Sequence, residues 1–99
     1  MSRQPNQSVY RIIAGSGQNI TSSGTAANNS TAFASNTSII RISPSAAIRY
    51  RVGPNATALT TDTLLPAGAV EYVGIVAGDR LSVIQDSTGG TVSVSECTR

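Results

Sequence analysis

The acids of this chain are Asp62, Glu71, Asp79, Asp86 and Glu96, the bases are Arg3, Arg11, Arg41, Arg49, Arg51, Arg80 and Arg99, and the one thiol is Cys97; histidine and lysine do not occur. That inventory closes off most nucleophilic chemistry. A serine or cysteine nucleophile needs an imidazole or an amine to take its proton, and a Schiff base needs a lysine. A pair of carboxylates is the remaining acid/base option, as in glycoside hydrolysis, but the acids are scattered among turn-like stretches and strand ends. The chain therefore reads as non-enzymatic, with no catalytic residues expected.

The acids have simpler employment. Asp79 and Asp86 flank the run Leu81 to Gln85 and sit in turn-like sequence, where aspartate accepts hydrogen bonds from nearby backbone amides. Asp62, in Thr60-Thr61-Asp62-Thr63, is one carboxylate where calcium wants six to eight oxygens, so loop capping is the expectation. No Cys or His spacing suits zinc, and no glycine-rich loop opens a helix, so no metal and no nucleotide or other cofactor is expected. Asn-x-Ser/Thr sequons occur at Asn6, Asn19, Asn28, Asn29, Asn36 and Asn55, as chance dictates in a chain this rich in Asn, Ser and Thr. Cys97, the third residue from the end of the sequence, could be a free surface thiol or pair between subunits, and a reduced, unpaired cysteine is the expectation.

Arginine offers the candidate contacts. Arg49 and Arg51 alternate with Ile48, Tyr50 and Val52, which puts two guanidinium groups on one strand face about 7 Å apart, able to grip carboxylates of a partner bidentately. The competing reading is a solvated face whose arginine stems cover apolar surface. Arg3 and Arg11 belong to an N-terminal stretch of low apolar content, of which residues 1–7 read as an arm that orders against a partner. A net charge of +2 spread along the chain is too slight for a nucleic-acid footprint.

These residues must be held by strands. Period-two alternation runs through Ala47 to Val52, with Ile48, Tyr50 and Val52 on the core side, and through Thr91 to Glu96, with Val92 and Val94 inward. Val70 to Val76 and Leu81 to Gln85 are rich in β-branched residues. The linkers around Gly78 and Gly89-Gly90 suggest turns needing positive φ, and so a three-stranded meander over residues 70–96. Ser38 to Ile42 and the strand from Ala47, joined through Pro44, suggest a further hairpin. Val9 to Ile13 reads as a strand, and within the small, polar segment 15–30 and beyond, weak strands are expected near Asn19 to Ser22 and Thr31 to Ala34. No window carries a capped 3.6-residue apolar period. Seven or eight short strands at this spacing describe an all-β fold, a small antiparallel β-sandwich or jelly-roll-like barrel.

With 99 residues, the chain reads as one domain whose core buries only about 60–65% of the unfolded surface. An internal disulfide is impossible with one cysteine, so a neighbouring subunit or a larger body is the expected source of further burial. The first residues carry no apolar leader and no window approaches the about 20 apolar residues of a membrane helix, so neither secretion nor a membrane is expected.

The run Arg51-Val52-Gly53-Pro54-Asn55-Ala56-Thr57-Ala58, then Leu64-Leu65-Pro66-Ala67-Gly68, Glu71-Tyr72, Ala77-Gly78-Asp79-Arg80-Leu81-Ser82-Val83-Ile84-Gln85 and Gly90 to Glu96 resembles the small structural proteins recurrent in tailed-bacteriophage virions. The likeness spans about residues 38–96 and brings no site residues with it. It implies a capsid decoration or cement protein, made in the bacterial host cytoplasm and bound to the major capsid protein on the outer capsid surface, with a trimeric homo-oligomer favoured. A carbohydrate- or receptor-binding adhesion or fibre module of the virion is the alternative, and a head-tail connector component a third.

Overall fold

Alternating apolar residues commit short segments to strands that must cover one face each, and two sheets closing on those faces satisfy them all. The computed structural model describes residues 11–98. These form β1 (Arg11–Ile12), β2 (Gln18–Ser22), β3 (Ala27–Asn28), β4 (Ile39–Pro44), β5 (Ile48–Gly53), β6 (Thr63–Leu65), β7 (Glu71–Gly74), β8 (Arg80–Gln85) and β9 (Gly90–Thr98), with no helix among them. Arg3, the expected arm over residues 1–7, and Val9 and Tyr10 of the first expected strand lie outside the described residues.

The topology follows from one long hairpin folded over on itself. One arm carries β2, β3, β4 and β5, the other β6, β7, β8 and β9, and the arms pair antiparallel as β5 with β6, β4 with β7, β3 with β8 and β2 with β9. Folding this ribbon over adds two ladders, β4 with β9 and β5 with β8. The outcome is one sheet in the order β2-β9-β4-β7, with β1 also on β9, and a second in the order β3-β8-β5-β6. This is jelly-roll connectivity.

Three expectations are corrected. Residues 70–96 do not form a meander: β7 and β9 belong to the first sheet and β8 to the second, so each connection crosses between sheets. The link through Pro44 likewise carries the chain from β4 in one sheet to β5 in the other and is not a hairpin. Thr31 to Ala34 is loop; the short strand there is β3, ending at Asn28. Thr63–Leu65, three residues without readable alternation, is a strand by virtue of pairing with β5.

The core lies between the sheets. Ile20, Val92, Val94, Ile40 and Ile42 face inward from one side, Leu81, Val83, Ile48 and Leu65 from the other, with Phe33 and Ile75 joining them. Tyr50 and Val52 pack against this cluster half-buried, on the face that the alternation assigns to them. Burial, and secondarily the charge of Glu71, pushes the Tyr50 hydroxyl above its ordinary pKa.

The turns use glycine in two ways. The Pro66-Ala67-Gly68 corner has Gly68 at φ 76°, where a Cβ is disfavoured, and it is pinned by Gly68 N donating to Pro44 O at 2.9 Å and Ala69 N to Pro66 O at 3.2 Å. Glu71 and Tyr72 then begin β7. Gly78 likewise has φ 89°, but Gly90 does not have positive φ. It is needed for room: a Cβ there would stand 2.6 Å from Ser45 Oγ and 3.0 Å from Ala46 Cβ.

Candidate functional site

Most of the described charged side chains fall into three regions. The first lies on the outer face of the second sheet, where parity puts Arg49 and Arg51 of β5 beside Ile84 and Ser82 of β8. Residues 54–62, the tip of the folded hairpin, turn back over this face. Ala58 N donates to Ser82 Oγ at 2.8 Å and Asn28 Nδ2 to Ala56 O at 3.0 Å, which leaves Ser82, Ile84, Ala56 and Ala58 buried.

Asp62 ends this strap and holds it shut. Its carboxylate accepts from Leu59 N at 2.7 Å and from Arg51 Nη2 at 2.9 Å, while its carbonyl accepts from Arg49 Nη1 at 3.3 Å. The Arg51 bond, followed by the Leu59 amide, holds the Asp62 carboxyl below the usual carboxylate range. Arg49 also meets Asp86 through Nε at 3.1 Å. The two arginines expected to reach for a partner's carboxylates thus already hold the chain's own, and both are partly exposed, where such pairs contribute little stability but keep the guanidinium planes oriented. Asp62 is the loop cap the residue type suggests. Asp86 departs from its expected role, its carboxylate held by a cross-strand arginine.

The second group closes one end of the sandwich, where the loop 29–38 descends between the sheets. Glu96 is in phase with Val92 and Val94 and so points inward, 9% exposed. It accepts from Ala34 N at 3.0 Å and from the Thr37 hydroxyl. Gln18, on the same inner phase of β2, donates to Thr31 O and accepts from Thr31 N, each at 3.0 Å. Asn29, almost fully buried, accepts from Leu81 N at 2.7 Å, and Arg80 donates to the carbonyls of Asn29 and Ser30 at 3.1 and 3.0 Å. Asp79 caps the neighbouring turn, accepting from Val76 N at 2.9 Å. The inward role of Glu96 was legible in its parity with two valines, although a charged residue at a strand end invites an outward reading.

The third group borders β1. Arg11, Ile12, Ile13, Ala14 and Thr98 line an open recess of about 400 Å³. Arg11 stands opposite Thr98 in the β1–β9 ladder, whereas Arg49 and Arg51 belong to the other sheet, so the described candidate contact residues are divided between the two sheets. Cys97 is not on the surface: it is free but 1% exposed, and burial pushes its thiol up.

The outer face of the first sheet differs from that of the second. Across it, Tyr72, Arg41 and Ser95 stand in one row, and Ser43, Ser93 and Asn19 in the next. Tyr72 is 44% exposed. Among the described residues, Arg41 makes no ion pair with an acid.

Among the described residues, no group of three His, Cys, Asp or Glu side chains converges to hold a metal ion, and no helix is long and apolar enough to cross a membrane, a statement that leaves β-barrel spans aside. No family model, no curated protein and no solved structure matches the chain.

Proposed function

We propose that the protein is a non-enzymatic structural component of a tailed-bacteriophage particle, binding the outer surface of the capsid as a decoration or cement protein and stabilising the shell. The observation that carries this reading is the use made of the charged side chains. Asp62, Asp79, Asp86 and Glu96 all hold loops or strands of the chain itself, and none is aimed at another acid across a cleft in the manner of acid/base chemistry. Such a molecule offers a rigid body with surfaces. The jelly roll is a fold that viral shell proteins and lectins both use, so it is compatible with this role without assigning it.

On a lattice with many equivalent positions, contacts weak for one copy hold when neighbouring copies also touch. The partner is the major capsid protein, and no nucleic acid or cofactor takes part. Adding the purified protein to shells stripped of it, sedimenting the particles and counting bound copies tests the reading. Saturation at hundreds of copies, with shells that resist heat and osmotic shock better, supports it. Saturation near a dozen copies moves the protein to a vertex, neck or fibre, and no binding ends the proposal.

The alternative, a carbohydrate- or receptor-binding module, draws on the outer face of the first sheet, where the Arg41 guanidinium, the Asn19 amide and the hydroxyls of Ser43, Ser93 and Ser95 stand in adjoining rows. A glycan array on which Arg41→Ala abolishes any signal would favour it; an array without signal removes it.

A further inference from the structure

The uncharged stretch between Arg11 and Arg41 contains β2, one edge of which is unpaired among the described residues. Ladder parity identifies what that edge presents. Ser45 N donates to Thr91 O at 2.8 Å from the β4 side of β9, and Ile13 N to Glu96 O at 2.9 Å from the β1 side. Odd-numbered residues of β9 therefore turn their backbone groups to β4, and even-numbered ones to β1 and β2. Ile20 and Gln18 stand opposite Val92 and Val94 and use their N–H and C=O groups on β9. Asn19 and Thr21 then direct theirs away from the sheet, and among the described residues no strand pairs with β2 on that side. Both side chains are exposed.

Sheet edges are ordinarily blunted by extreme shortness, charge, proline or a bulge. The edges of the second sheet, β3 and β6, are two and three residues long, and β7 carries Glu71. The five residues of β2, Gln18-Asn19-Ile20-Thr21-Ser22, have neither charge nor proline. We propose that β2 pairs antiparallel with β2 of a second copy of this chain about a two-fold axis beside Ile20, joining the first sheets of the two copies into one.

The register follows from the parity. With Ile20 opposite Ile20, Asn19 of each copy faces Thr21 of the other, and each such pair exchanges two backbone hydrogen bonds, so both open residues of both strands are satisfied. The occupant is a second copy because a two-fold axis sets a segment against itself, so a charge on β2 would stand directly opposite its like at Ile20 and diagonally across the pair from it at Asn19 or Thr21. The whole stretch from Ile12 to Ile40 carries none, a neutrality that pairing with a foreign strand would not require. The pairing is two-fold, so it does not build the trimer that the resemblance implies, and it stands independently of capsid binding.

Sedimentation velocity over concentrations up to about 1 mM, combined with amide hydrogen exchange, tests the proposal on the unmodified protein. The expected result is a monomer–dimer equilibrium in which the Asn19 and Thr21 amides become protected as dimer accumulates, while the Ile20 amide is protected throughout. Thr21→Pro removes an edge-facing N–H and leaves the bonds to β9 in place, so it should abolish the dimer and keep a cooperative melt. A monomer at every concentration, a trimer, or a dimer in which the Asn19 and Thr21 amides exchange as they do in the monomer overturns it. The exchange measurement decides the matter even if the proline variant fails to fold.

Discussion

Glu96 and Thr37, 59 residues apart in sequence, meet inside the sandwich, where the Thr37 hydroxyl donates to the Glu96 carboxylate. The same carboxylate takes the Ala34 amide, so one side chain of the last strand fixes the loop that closes the end of the core. Glu96→Ala leaves the buried Thr37 hydroxyl without this partner and frees the part-buried Ala34 amide, and should lower unfolding free energy by about 1–3 kcal/mol. Chemical denaturation with an unchanged slope checks it, and Thr37→Val should cost less because Glu96 retains the amide.

The Arg51–Asp62 pair predicts a pH dependence. Because the folded-state pKa of Asp62 is lowered, its contribution to stability is present above the ordinary aspartate pKa and is lost as pH falls through the lowered value. The stability difference between the wild type and Asp62→Asn should therefore shrink as the solution is acidified below that ordinary value. A difference that stays constant or grows on acidification would show that the carboxylate is not held by Arg51 and Leu59 in the folded state.

Packing makes a contrast within one hairpin. Ile48 is fully buried and Leu64, in the adjacent strand, is 43% exposed. Ile48→Ala should destabilise by about 2–5 kcal/mol through lost transfer energy and a cavity, whereas Leu64→Ala should stay within about 0.5 kcal/mol. Thermal melts of the two variants side by side make the comparison.

Two glycines differ for different reasons. Gly68→Ala meets no neighbour and is disfavoured only by its positive φ, at about 1–2 kcal/mol. Gly90→Ala drives a Cβ into Ser45 and Ala46, so β9 and the β4–β5 link must move apart. Gly90→Ala should therefore be the more damaging of the two, and should also speed exchange of the Thr91 amide, which Ser45 Oγ accepts at 2.9 Å.

Cys97 supplies a probe of opening. With its thiol buried and its pKa raised, reaction with a thiol reagent at neutral pH should be slow in the native state and should accelerate with denaturant as the protein unfolds. Rapid native-state labelling would place the thiol at the surface.

Alternation determined much of this molecule. Ile48, Tyr50 and Val52, or Val92 and Val94, can each satisfy their apolar side only by facing a common core, and that reading needs no knowledge of partners. It extends to Glu96, whose parity places it inward, and to Arg49 and Arg51, whose parity places them outward. What alternation does not encode is which strand lies beside which. The backbone ladder is the same for any pair of strands, so Leu81 to Gln85 reads equally well as the middle of a meander or as a strand of the opposite sheet. Only the collapse of the whole hairpin, burying both faces of β-branched side chains at once, selected the crossing connections, drew residues 54–62 over Ser82, and brought Asp62 and Asp86 to the arginines. Those ion pairs, 11 and 37 residues apart in sequence, form only when the strap and the second sheet are in place, which is why the sequence supplied the charges and the fold alone decided what they hold.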